Sequence, residues 1–466
     1  MAREITEQEK RVAGEMLAKA RAAMEQIDSY DQARVDRLCR AVAWATANME
    51  TATKLANMSV DESGMGGRTP SRRAKVLGIL RDALRQKSMG VIEEIPGTGI
   101  TKYAKPAGVV AGLIPVTSPY VTPAGMAIYA IKCRDAVIFC PHPASKKTTA
   151  ETVRVMRAAL KKLGAPEDIL QCVTAPSIPM AQEMMAICDV TMATGGQAMV
   201  RAAYSSGKPA LGVGAGNATM VIDDTADVEG AARNTRISKT NDNGSGCSAD
   251  GNLIVDSTVY DAFLAQLQKE GGYLVNAKEK ALLLAAYWDA EGHRTPATIA
   301  RSADVVAKLA GFEIPADKTF LIVPEEHIGK EHFFSTEKLG IVVAIFKYTG
   351  WPMALDMVRQ IFETGGKGHS CGIYSYNDEH IHQLALMAPV SRMMVRQPQS
   401  SSNAGTFTNG MPMTSSMGCG YWGGNSTNEN VSLKHYMNVT WVSRPIAEDR
   451  PSDEELFGEF YNSEIF

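Results

Sequence analysis

The chain has 466 residues, 45% hydrophobic and 21% charged, a balance ordinary for a soluble globular protein of two or three domains. Its net charge of −3 and lack of a basic arm argue against a nucleic-acid binder, and no apolar run is long enough to span a bilayer. The first ten residues are too polar for a signal peptide, and eight widely spaced cysteines with no CxxC pair fit reduced thiols in a cytoplasm rather than a disulfide frame or a zinc site.

Thr6 and Glu9 have capping-box spacing, and Val12, Met16, Ala20, Met24 and Ile27 follow at helical intervals. A second helix is expected from about residue 29, with Val35, Leu38, Cys39 and Val42 inward, then a break at 64–70 and a helix over 71–85. Residues 91–105 read as two strands around Pro96-Gly97-Thr98-Gly99, a protruding hairpin with no core of its own nearby. Continuous apolar runs at 109–114 and 136–140 suit strands covered on both faces, and a helix over 149–163 stops at Gly164 and Pro166. Strands at 169–173, 190–193 and 220–222, with a helix near 180–187, complete an α/β region with a doubly wound parallel sheet.

A helix over 228–238 leads into a second α/β region, with strands expected at 251–255, 320–323, 341–347, 372–376 and 392–395. The alternating strand at 436–442 is too isolated for either core and is expected to pair with a partner subunit. His380 and His382 flank one residue beside Glu379 but lack further ligands, so they read as a solvated surface pair and no metal is expected.

One stretch carries the chemistry. Cys247 lies behind the small, polar, Gly-punctuated approach Asn241-Asp242-Asn243-Gly244-Ser245-Gly246, which leaves a sulfur open to substrate and backbone donors. The alternative is an inert buried thiol, and Cys419, between two glycines, is a rival nucleophile. Thr194-Gly195-Gly196 follows a strand and opens a helix, which suits a pyrophosphate as well as an ordinary strand-to-helix turn. Residues 212–217 read as a bend bringing main chain close to something, and residues 365–370 and 418–425 as Gly-rich borders of a cleft. His142 ends a strand where an adenosine fits, and Lys146 and Lys147 just beyond it suit a phosphate or simply a solvated helix start.

The segments TNDNGSGCSADGNLIVD, MATGGQAMVRAAYSSGKPALGVGAGN, CPHPASKK, TEKLGIVVAIF and SMGCGYWGGNSTNENVSLKH together resemble the CoA-acylating branch of the aldehyde dehydrogenase superfamily. Within it the chain looks most like the acylating sulfoacetaldehyde dehydrogenases, with enzymes of acetaldehyde and succinate semialdehyde close behind. The resemblance implies a cofactor domain over 1–232, a catalytic domain over 233–425 and an oligomerisation segment over 426–466. It places Cys247 as nucleophile, Glu337 on the nicotinamide ribose, Thr194, Gly195 and Gly196 on the pyrophosphate, and His142 by the adenosine ribose. Ser118 stands where relatives carry an asparagine that helps the oxyanion, so the Cys247 N–H is the surer donor. Hydrolytic relatives carry a glutamate base at the position of Gly212; without it the thioester is left to coenzyme A.

NADP is the expected cofactor, with NAD possible, and coenzyme A the co-substrate. A homodimer or homotetramer is expected, because the hairpin and the strand at 436–442 each lack a core. For substrate, Asn241, Ser245 and Gly246 make the approach polar and roomy, Arg396 offers a cation, and Thr240, Ser400, Ser401 and Ser402 add hydroxyls. Arg396 alternatively serves a structural salt bridge.

Overall fold

A computed structural model describes residues 3–461. The chain opens with α1 (Glu7–Ile27), α2 (Gln32–Ala47), α3 (Met49–Ser63) and α4 (Arg73–Leu84), and Thr6 with Glu9 closes the expected capping box on α1. Next come β1 (Gly90–Ile95), β2 (Ile100–Pro106), β3 (Val109–Ile114), α5 (Val121–Cys133), β4 (Ala136–Pro141), α6 (Lys146–Lys162), β5 (Leu170–Cys172), α7 (Ile178–Ile187), β6 (Val190–Thr194), α8 (Gln197–Tyr204) and β7 (Ala210–Val213). The second half runs β8 (Thr219–Ile222), α9 (Val228–Thr240), β9 (Asn252–Asp256), α10 (Tyr260–Lys269), β10 (Gly272–Leu274), α11 (Ala277–Tyr287), α12 (Ala303–Ala310), β11 (Phe320–Pro324), β12 (Val342–Tyr348), α13 (Trp351–Thr364), β13 (Cys371–Tyr374), α14 (Asp378–Met387), β14 (Met393–Val395), α15 (Gln399–Ser402), β15 (Met437–Ser443) and α16 (Asp453–Phe457).

Two parallel sheets result. The first has the order β5-β4-β3-β6-β7 and the second β10-β11-β12-β9-β8-β13-β14, so the expected α/β architecture with a doubly wound sheet is present. β3 and β4 are buried along their whole lengths, as continuous apolar runs require between two helical layers. Each wholly buried Val, Leu, Ile or Phe there contributes roughly 1.5–3 kcal/mol. α5 had no sequence signature because all of its residues are buried: with no solvent face there is no stripe for periodicity to reveal.

Two expectations change. β8 belongs to the second sheet, between β9 and β13, so the second unit begins before residue 233. The C-terminal part is not a separate unit either: Met413, Val431, Leu433 and Tyr436 pack into the core of the first sheet. β15 pairs antiparallel with β2 of its own chain, giving a three-stranded arm β1-β2-β15 with β15 at its edge. Among the described residues no helix is long and apolar enough to cross a membrane.

Candidate active site

Cys247 follows α9 and precedes β9, at the end of the second sheet where β9 and β13 begin. Its approach is a tight turn. Asp242 and Asn243 take φ of 52° and 54° and Gly244 follows at 67°, a left-handed path that costs roughly 1–2 kcal/mol for each non-glycine residue. The loop 64–67 stabilises it: Gly67 N–H donates to Asp242 Oδ1 at 2.6 Å, and Asn243 Nδ2 donates to Gly66 O at 3.0 Å. On the other side, a Cβ at Gly216 would lie 1.9 Å from the Cys247 carbonyl oxygen, so only glycine lets residues 212–217 pass. The expected bend therefore presses main chain onto the thiol loop, although Gly212 and Val213 themselves lie in β7.

The thiol is half-buried, and His369 Nε2 sits 3.0 Å from Cys247 Sγ. His369 is buried, and its Nδ1 lies 2.9 Å from Ser370 Oγ. Sequence reading noted the Gly-rich segment 365–370 but not this histidine; the signal was a lone imidazole among glycines.

Burial pushes the Cys247 thiol up to about 12, with Glu337 and Cys419 adding to the effect and Arg392 opposing it. Burial, and then Arg392, push His369 down to about 3. The resting pair is thus a neutral thiol beside a neutral imidazole. Alkylation of Cys247 by iodoacetamide in the free enzyme should therefore rise about tenfold per pH unit from pH 7 to pH 10, because the thiolate stays the minor form throughout. A plateau below pH 9 would contradict that environment.

Cys419 is fully buried, its thiol pushed up to about 11 by burial, and its sulfur would lie 3.1 Å from a Cβ at Gly214. Closed in by backbone, it is the poorer nucleophile on access. The Cys247 N–H donates to no carbonyl among the described residues, which leaves it free for an oxyanion. The Ser118 hydroxyl, half-buried before α5, is likewise without a hydrogen bond among the described residues.

Glu337 approaches from the loop before β12. Its Oε1 accepts from Gly216 N–H at 3.0 Å, and its Oε2 lies 3.7 Å from Arg294 Nη1. Burial raises its carboxyl, with Arg294 and that N–H opposing. Beside it, buried Lys338 donates to Asn252 Oδ1 at 2.9 Å, and Asn252 Nδ2 to Asn217 Oδ1 at 2.9 Å, which fixes the loop under the thiol.

The residues assigned to a dinucleotide collect at the carboxyl ends of β3, β4 and β6. His142 N–H donates to Ile114 O at 3.1 Å, which sets the ends of β3 and β4 together. Thr194 ends β6, its hydroxyl 2.6 Å from Ser416 Oγ. Gly196 caps α8 without a side-chain bond, and a Cβ added there meets nothing within 4 Å. An uncapped helix start facing open space fits a pyrophosphate. Lys146 and Lys147 are exposed and make no ion pair among the described residues, while Glu62 accepts from the Lys147 and Thr148 N–H groups at the start of α6.

The substrate assignments divide. Ser245 and Asn241 stand in the approach, but the cation there is Arg72, not Arg396. Arg72 Nη1 donates to Thr117 O at 2.8 Å, next to Ser118, and Nη2 reaches Asp242 Oδ2 at 2.5 Å and Ser245 Oγ. Arg396 lies outside the site. Its Nη1 donates to Ser375 O at 2.5 Å and its guanidinium covers the Tyr376 ring at 4.5 Å. Ser375 follows β13 whereas His369 precedes it, which puts roughly 20 Å of extended chain between Arg396 and the thiol. Nor does Arg396 make a salt bridge among the described residues; a carbonyl and a ring hold it.

Two hydroxyls are turned elsewhere as well: Thr240 donates to Arg236 O at 2.8 Å and Ser401 to Pro398 O at 3.4 Å. Ser400 Oγ is buried without a partner, and Ser402 is buried in α15. His382 is exposed, but His380 is not a solvated group: its Nδ1 lies 2.9 Å from the buried Asp223 and its ring stacks on Trp351 at 3.9 Å.

At Gly212, where hydrolytic relatives carry their base, a Cβ would lie 2.6 Å from Val200 Cγ1 and 3.0 Å from Tyr204 Cε2. A longer side chain has no room without displacing both.

Comparison with known proteins identifies the family. Residues 2–277 match the aldehyde dehydrogenase family. A sulfoacetaldehyde dehydrogenase of Acholeplasma sp is 43% identical over 95% of this chain and 93% of its own. A succinate-semialdehyde dehydrogenase (acetylating) of Clostridium kluyveri is 36% identical over 95% of this chain and 98% of its own. The crystal structure of an acetylating aldehyde dehydrogenase from Geobacillus thermoglucosidasius, 32% identical, superposes with a TM-score of 0.91 over 96% of this chain and 99% of its own. The chain belongs to the aldehyde dehydrogenase family, in its CoA-acylating branch, and is a nicotinamide-dependent acylating aldehyde dehydrogenase.

Proposed function

We propose that the enzyme oxidises sulfoacetaldehyde to sulfoacetyl-CoA, with Cys247 as nucleophile and NADP as hydride acceptor. The observation that carries the substrate reading is Arg72. Its guanidinium joins the loop before α5 to the thiol's approach, and Thr117 O, Ser245 Oγ and Asp242 occupy three of its five N–H groups. A sulfonate stays ionised and is costly to bury without donors or a cation. Arg72 and Asn241, whose side chain makes no hydrogen bond among the described residues, supply them in the approach to Cys247.

In this reading the Cys247 S–H gives its proton to His369 Nε2 and the sulfur attacks the aldehyde carbon. The oxyanion of the resulting thiohemiacetal is met by the Cys247 N–H and the Ser118 hydroxyl. Thr194, Gly195, Gly196, His142 and Glu337 would hold the nicotinamide cofactor, which would supply the hydride acceptor for conversion of the adduct to a thioester. The first proton passes from His369 to solvent; the coenzyme A thiol then attacks that carbonyl, giving its proton to His369, which passes it to the Cys247 sulfur as that leaves as the free thiol. The packing around Gly212 supports thiol over water as the second nucleophile. Lys146 and Lys147, exposed and unpaired, support NADP through its 2′-phosphate. Exposed Val439 and Trp441 on the arm support a homodimer or homotetramer.

Succinate semialdehyde is the second reading, favoured by the Clostridium kluyveri relative, since its carboxylate has the same charge. Arg72→Met should raise KM for sulfoacetaldehyde roughly 10–100-fold, the worth of a charge-assisted hydrogen bond, and change that for acetaldehyde less than threefold. Steady-state kinetics with sulfoacetaldehyde, succinate semialdehyde and acetaldehyde test it. Equal losses on all three, or a native preference for either of the others, would remove the sulfonate assignment.

A further inference from the structure

Arg392, just before β14, is 5% exposed, yet it takes part in no ion pair among the described residues. Its Nη1 donates to His369 O at 3.0 Å, and its Nη2 to Gly418 O at 2.5 Å and Asn428 O at 3.1 Å. Its Nε is buried with no hydrogen-bond partner among the described residues. Three carbonyl dipoles do not neutralise a full charge, and a buried cation without a counter-ion is a poor device for stability. The fork ties the segment carrying His369, which meets the Cys247 sulfur, to the segment carrying Cys419. Nearby ionisable groups are the thiols Cys247 and Cys419, the neutral His369, and Glu337, itself faced by Arg294 and Lys239.

We propose that Arg392 is a positioning residue of this enzyme: its unneutralised charge offsets the negative charge that forms on the Cys247 sulfur, and its grip on the His369 carbonyl aims the imidazole at that sulfur. The inference rests on the assignment of Cys247 as nucleophile. When the S–H bond breaks, the electron pair stays on sulfur and the proton passes to Nε2. Arg392 favours the thiolate against the adjacent Glu337 carboxylate. After burial, the larger cause, the same charge holds the imidazole neutral in the free enzyme, so Nε2 is an open acceptor but a weak base.

The test is the pH profile of iodoacetamide alkylation in the full-length enzyme, with the labelled cysteine identified by peptide mass. Arg392→Met should move the rise to higher pH and slow alkylation of Cys247 at pH 9 at least tenfold, one pKa unit being tenfold in thiolate, and kcat should fall with it. Arg392→Lys should restore most of the alkylation rate but not kcat, because a point charge lacks the fork that holds His369. Folding is checked by thermal unfolding. A folded Arg392→Met enzyme alkylated at the native rate at every pH overturns the proposal. If that variant does not fold, Arg392→Lys decides alone: alkylation within threefold of native supports the role, and a tenfold loss overturns it. Activity surviving in Cys247→Ala, or label on Cys419, would overturn the nucleophile assignment and this inference together. An unchanged profile in Arg392→Met with label on Cys247 would overturn this inference only.

Discussion

Cys247→Ala should lose both nicotinamide reduction and acyl-CoA formation, by about 10⁵-fold or more, while still binding the nicotinamide cofactor. The sulfur is the only covalent handle in the proposed sequence, so neither half-reaction has a fallback. The histidine 3.0 Å away cannot substitute, since an imidazole there would have to reach the aldehyde across the volume the sulfur vacates. Nor is Cys419 placed to take over, being fully buried against the backbone of Gly214. Substantial CoA-dependent NADPH production by the alanine variant would move the nucleophile elsewhere.

His369→Ala should lower kcat about 10²–10⁴-fold, the usual range for a positioned general base, with little change in aldehyde KM. The loss should grow toward low pH, where the unaided thiolate is scarcest, and added imidazole should restore part of the rate. The native profile carries a second signature. With His369 pushed down to about 3, the imidazole is neutral across the working range, so kcat/KM should show no limb near the ordinary histidine value. A limb between pH 6 and 7 that disappears in His369→Ala would mean the histidine is charged in the free enzyme, against the burial described above.

How much of this was legible in residue order differs from part to part. The strands β3, β4 and β12 were plain because apolar runs bounded by turn residues have few other fates. α5 was invisible for the opposite reason, its residues being apolar on every face. β8 reads the same in either sheet, and only its pairing with β9 and β13 assigns it. β15 carried an alternating pattern, but its partner is β2, more than three hundred residues earlier, and no local signal specifies so distant a register.

The site divides along the same line. The sequence alone determined what lies on contiguous chain: the small, polar approach to Cys247, the Gly195-Gly196 strand-to-helix turn, and a glycine at 212, where the resemblance implies that hydrolytic relatives carry a base. Those properties depend on neighbours in the chain and on backbone freedom, which residue types specify directly. Only the tertiary structure decided which side chains meet the thiol. His369 is 122 residues from Cys247, and Arg72 is 173 from Ser245. Arg72 lies beside a stretch that reads as a mere break, and Arg392 has nothing in its neighbourhood to mark a buried, unpaired charge. Arg396, four residues on, looked the better cation, yet strand direction carries it to the far end of the sheet. A charge acts through distance and dielectric, and both are set by packing rather than by residue order.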